Sequence, residues 1–170
     1  IAQGIWTADQ IDPSYDGSPG NFIANDGKIA QQGFASAEPY NYKNAYEEWG
    51  KDVEYQLLHD AGFQVYSQTI AIRSDEKEVL DPCLKSLVPV IQRAVVSFGT
   101  DPSTANALIV DAVETFNSFW VYGEGIAAYS VETQRELGLI GNGNNDIVGD
   151  IDQARVQGVI DIMGDAGIDV

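Results

Sequence analysis

Cations are scarce in this chain. Nine Lys and Arg stand against 26 Asp and Glu over 170 residues, a formal net charge of -17. A field of that sign repels phosphate backbones and anionic lipid, which argues against nucleic-acid and membrane-surface partners. It favours solubility and suits a saline or extracellular setting. Cys83 is the only cysteine, so no internal disulfide can form, and within an apolar helix it reads as a small core residue. His59 is the only histidine, which leaves a Ser-His-Asp triad or a His-based zinc site without partners; it reads as a loop or surface residue. No apolar run approaches the roughly 20 residues needed to span a bilayer. The chain opens on Ile1-Ala2-Gln3-Gly4, with neither a charged start nor an apolar stretch of signal-peptide type.

What is present is ordinary globular composition, with 44% hydrophobic residues, enough to expect a packed core. Residues 7–20 are turn-rich through Asp12-Pro13 and Asp16-Gly17-Ser18-Pro19. Ser18 as cap and Pro19 at the first helical position predict a short helix to about Asn25, stopped near Gly27. Lys28 to Ala35 reads as a buried strand, and Pro39 opens a helix from Tyr40 to Trp49 that Gly50 ends. Val53–Leu58 and Gln68–Arg73 read as two further strands; in the second, Ile70 and Ile72 alternate with Thr69, Ala71 and Arg73. After Ser74 the pattern is helical. One helix is capped by Asp81-Pro82 and kinked at Pro89. A second starts at Asp101-Pro102, with an apolar stripe from Ala105 to Trp120. A third follows Ser130, and a last starts near Asp150 and buries Val156, Val159, Ile160 and Met163. Short strand-and-helix units followed by a helical half predict an α/β fold. Three strands are few for such a core, so the missing strands are expected to precede residue 1.

The residues that bear chemistry cluster at two strand-to-helix turns about twenty positions apart. One is Tyr15-Asp16-Gly17-Ser18, where free N–H groups at a helix start bind anions or polar ligand edges, or serve as an ordinary cap. The other is Glu38-Pro39-Tyr40-Asn41-Tyr42. There a carboxylate can accept from an amine or amidine edge and two rings can stack on a flat ligand, or Glu38 can simply favour the helix start. In open α/β sheets ligands lie at such turns. None of these groups is equipped to make or break a covalent bond, which points to recognition rather than catalysis. Asn142, Asn144 and Asp146 have the odd-position spacing of a calcium loop, but Ile147 and Gln153 replace its glycine and glutamate, which argues against a metal site. No cofactor is implied. Tyr122 and Tyr129, flanking Gly123 and Gly125, either pack a turn or line a rim.

At Tyr15–Pro19 and at Gly27–Tyr40 the chain resembles the solute-binding proteins of ABC importers, in the nitrate/sulfonate/taurine and thiamine-pyrimidine-precursor branch. The similarity runs on through Pro82–Pro89, Asn106–Val110, Glu136–Gly143 and Ala154–Gln157. It implies a two-lobed periplasmic-binding-protein fold around a ligand cleft. Residues 1–50 would form a second-lobe α/β segment, 51–74 the hinge crossover strands, and 75–170 the helical part of the first lobe. It also implies that early sequence, including a secretion signal, precedes residue 1, and that the protein works outside the cytoplasm, periplasmic or lipid-anchored at the cell surface. Its partners would be a small-molecule solute and an ABC transporter permease, and a shortened chain would self-associate. The ligand residues it implies are Tyr15, Asp16, Gly17, Ser18, Glu38, Tyr40 and Tyr42. An acidic Glu38 favours a nitrogenous heterocycle or a cation over a small anion. A sensor domain of the same fold fits the same residues, whereas a pyrimidine-synthase-like enzyme lacks the His and Cys that its chemistry needs.

Overall fold

The computed structural model describes residues 7–117, 120–142 and 145–169. It is a helical protein. Six α-helices follow one another: α1 (Gly20–Ala24), α2 (Glu38–Asn44), α3 (Lys77–Thr100), α4 (Ser103–Phe116), α5 (Glu124–Glu136) and α6 (Gln153–Asp165). Among the described residues the one β-type pairing is an isolated antiparallel bridge, Asn142 to Val148. The expected α/β fold is therefore overturned, and with it the two lobes and the crossover strands.

The three expected strands are extended or irregular coil. A strand is stable only when its N–H and C=O groups find a neighbouring ladder and one face is covered. Neither condition is met at Gln68–Arg73, where Ile70 and Ile72 face water despite their alternation. The helical boundaries shift as well. Pro19 takes the cap position of α1 in place of Ser18. Helix α3 starts at Lys77, so Pro82 lies inside it together with Pro89 rather than at its start. Cys83, expected in a core, is exposed on that helix. Helix α5 begins at Glu124, six residues before Ser130, after which it was expected to start. The α4 start holds as expected: the Asp101 carboxylate accepts from the Ser103 N–H at 3.1 Å, and Pro102 precedes the first turn. Helix α6 is capped by Asp152, whose side chain accepts from Ala154 and Arg155 N–H groups. Its expected core residues are only half-buried, and Ile160 is exposed.

The core is small and centres on α5. Ile126, Ala127 and Val131 are buried there, and Tyr42 of α2 is the remaining buried hydrophobic residue among those described. Helix α5 packs against both α2 and α4. It also holds neighbouring backbone by side-chain hydrogen bonds. The Tyr129 hydroxyl donates to Ala35 O at 3.0 Å, and the Arg135 guanidinium donates to Gly99 O and Thr100 O at the end of α3.

The α2–α5 contact depends on a missing side chain. Tyr40 lies over Gly125, where a Cβ would collide with its hydroxyl, and its ring is 5.4 Å from that of Tyr129. Gly125→Ala is expected to cost about 1–3 kcal/mol through overpacking. Tyr40→Ala should relieve most of that penalty, so a double-mutant cycle in urea should show strong coupling. Strictly additive effects would mean that the two residues do not meet.

Candidate functional site

A cleft of about 440 Å³ opens in the segment between α1 and residue 54. Its formation follows from local turns. Helix α1 stops at Asn25, and Gly27 takes a left-handed φ of 68°. A Cβ at Gly27 would lie 2.7 Å from Trp49 Cη2, so only glycine lets the indole close over this turn. The chain then runs extended past Gln31 and Gln32 before the Phe34–Ala37 turn enters α2. Glu38 accepts from the Phe34 N–H and so fixes that turn.

Phe22, Tyr42 and Trp49 supply the aromatic wall. Their rings pack edge-to-face or tilted, with Phe22 4.9 Å from Tyr42 and 5.0 Å from Trp49. Gln31 donates to the Tyr42 hydroxyl at 3.1 Å, which ties the extended strip to the wall. Four carboxylates also line the space, those of Asp26, Glu38, Asp52 and Glu54, and no Lys, Arg or His is among the lining residues. Lys43 reaches Asp52 at 2.8 Å and Lys28 reaches Asp26 at 3.8 Å, both at exposed positions where such pairs contribute little.

The tyrosines record this environment. Burial pushes the Tyr42 hydroxyl up to about 12, against the lowering effect of Gln31. Tyr46 and Tyr15 are raised in the same direction, first by burial and next by the negative charge of Glu38. Burial disfavours the ionised form of each phenol, and at Tyr15 and Tyr46 the negative charge of Glu38 adds to that effect.

Of the residues singled out from sequence, Glu38 and Tyr42 line the cleft, and the others do not. Tyr15 stands at its margin, with its hydroxyl donating to Gln32 O at 3.0 Å. Asp16, Gly17 and Ser18 form a separate turn in which the Asp16 carboxylate takes the Ser18 N–H at 2.9 Å. That donor is spent internally, and the start of the five-residue α1 is exposed at Ser18 and Gly20. Tyr40 points to α5 instead. Asn144 lies outside the described residues, so the odd-position trio cannot be placed; among the described residues no group of three potential metal ligands converges. His59 is exposed in a turn, as expected.

The sequence reading missed Trp49 and the glutamines. Trp49 follows Glu47-Glu48 at the end of a helical pattern and looked like a helix terminus. The signal available was Gly27, since a glycine beyond a helix stop also permits close approach by a large ring. A second groove, of about 290 Å³, lies beside the end of α3. Arg135, its one cationic lining residue, is committed to the Gly99 and Thr100 carbonyls, so its role there is to close the end of a helix. No helix among the described residues is long and apolar enough to cross a membrane. The chain matches no family model, no curated protein and no solved structure.

Proposed function

We propose that this chain is a binding module that captures a small nitrogenous solute, cationic or amine-bearing, in the Phe22–Glu54 cleft. The observation that carries this reading is the lining itself: four carboxylates and three aromatic residues around 440 Å³, without a basic residue among them. Carboxylates accept from N–H edges, glutamine amides can do either, and aromatic rings attract flat or cationic groups. A role in delivering the solute to an importer's permease rests on the sequence resemblance alone, and the helical fold gives that part no support.

A thermal-shift panel tests the ligand class directly. Benzamidine and 4-aminopyrimidine are expected to raise Tm, and nitrate and taurine are not. Glu38→Gln keeps an acceptor for the Phe34 N–H but removes the charge. It is expected to weaken benzamidine binding about tenfold, on the order of 1.5 kcal/mol for a charge-assisted hydrogen bond. Stabilisation by the anions, or by none of the probes, would overturn the reading; an unchanged benzamidine affinity in Glu38→Gln would remove Glu38 from the site.

A further inference from the structure

Helix α3 has two apolar sides. Leu80, Leu84, Val88, Val95 and Phe98 are half-buried, and on that side Gln92 donates to Val148 O at 2.7 Å. The other side carries Val79, Cys83, Leu87, Val90, Ala94 and Ser97, all of them exposed. Their spacing by three or four residues keeps them in one line along the helix.

The charged residues of α3 are Lys77, Glu78, Asp81, Lys85 and Arg93, and none falls on the exposed line. Three cations against two anions also make α3 the one α-helix with net positive charge among the described residues, in a chain of -17. Copies of so acidic a chain repel one another, and the repulsion is weakest where the meeting surfaces carry no negative charge. A basic partner finds no carboxylate to pair with on this line; α4, with Asp111 and Glu114 and no cation, suits such a partner better.

The order of side-chain sizes selects the occupant. Cys83, Leu87, Val90 and Ala94 run small, large, large, small, and their midpoint, between residues 88 and 89, is also the midpoint of Lys77–Thr100. A two-fold interface needs a surface that matches itself when reversed. We propose that two copies of the chain pair antiparallel through this face of α3, with Leu87 of one copy beside Val90 of the other and Cys83 beside Ala94. Opposed helices also set the positive end of each macrodipole near the negative end of the other. Surface is available for the contact. The chain exposes 12861 Å², against about 8,200 Å² for a compact monomer of its 18.4 kDa, and a standard interface takes about 800 Å² from each partner.

Cross-linking tests the pairing on the full chain, in about 0.5 M salt to screen the charge. In the antiparallel pair the two Cys83 residues lie about 16 Å apart along the helices, beyond the reach of a disulfide. The starting protein is therefore expected to stay unlinked under mild oxidation. Ala94→Cys sets a second thiol opposite Cys83 and is expected to give a disulfide-linked dimer. The same separation along one helix prevents that bridge within a single chain. Leu87→Glu places a charge on the exposed line and is expected to weaken association at least tenfold by light scattering. Leu108→Glu makes the same charge change at an exposed position of α4 and is expected to leave association unchanged. Linkage through Cys83 alone would overturn the antiparallel arrangement, and equal weakening by Leu87→Glu and Leu108→Glu would overturn the choice of face. A monomer throughout, or no linkage in Ala94→Cys, would overturn the pairing itself. No residue of α3 lines the Phe22–Glu54 cleft, so the solute reading is tested separately.

Discussion

Tyr42→Ala is expected to cost about 3–5 kcal/mol and to dismantle the wall of the cleft, as removal of a buried aromatic ring does. Tyr42 is 3% exposed and touches the rings of Phe22, Tyr46 and Trp49, with centroids 4.9, 5.4 and 5.9 Å away. It is also one of only four buried hydrophobic residues among those described, so little else compensates for its loss. The cluster already bears a burden: Trp49 Nε1 and Asn41 Oδ1 are buried without a protein partner, at about 1–3 kcal/mol each. Total stabilities of small domains are about 5–15 kcal/mol. Urea denaturation followed by near-ultraviolet circular dichroism measures the effect, and a loss below about 1 kcal/mol with an intact aromatic signal would show that the cluster is not a core.

The same residue gives the protein an alkaline limit. Its folded pKa of about 12 exceeds the ordinary tyrosine value near 10. The stabilisation it gives is fully present below about pH 10 and is lost as pH rises through 12, because the unfolded chain ionises first. Tyr15, Tyr46 and Tyr122 are raised in the same direction and share that slope. Tyr42→Phe should therefore flatten the alkaline slope without abolishing it.

The second large expected effect is on mass. A compact monomer of 18.4 kDa exposes about 8,200 Å² of surface. This chain exposes 12861 Å². The excess is comparable with the roughly 2,000–5,000 Å² buried in obligate assemblies. It includes the two longest helices: neither α3 nor α4 has a buried residue, and Val79, Leu108 and Phe116 are 81%, 68% and 80% exposed. Apolar surface on this scale drives association, whereas a net charge of -17 opposes it between like copies. Self-association is therefore expected to depend on salt. Light scattering should give a mass near that of the single chain at low ionic strength. It should reach at least twice that mass in about 0.5 M salt, where the Debye length is only a few ångströms. A monomer at every salt concentration would show that the exposed helices are tolerated as they stand.

Local punctuation was legible in the sequence because it acts locally. Pro19 and Gly27 bracket α1, and Asp101 with Pro102 opens α4, each through interactions within a few residues. The lack of a sheet among the described residues was not legible, because alternation is a necessary but insufficient condition for a strand. Ile70 and Ile72 have the right period, yet a strand is defined by its neighbour, and the sequence of one segment does not reveal whether a neighbour exists. The run of prolines misled in the opposite sense. Pro82 was read as a helix start, but α3 continues through it from Lys77. At the site, Glu38 was found because carboxylate, proline and rings are adjacent in sequence. Gln31 was missed because its meeting with Tyr42 is set by how residues 25–37 turn back, and Trp49 because α2 ends at Asn44 and a turn at Tyr46 O, not a continuing helix, carries the indole to Tyr42.

Helix α3 carries one more implication. Pro82 and Pro89 have no amide hydrogen, so the carbonyls of Glu78 and Lys85 lack their usual i+4 donors. Along 24 residues the rod thus has two joints at which it can bend without surrendering a backbone bond. A surface that lies against it need not be straight, because the rod can be drawn to follow its curve.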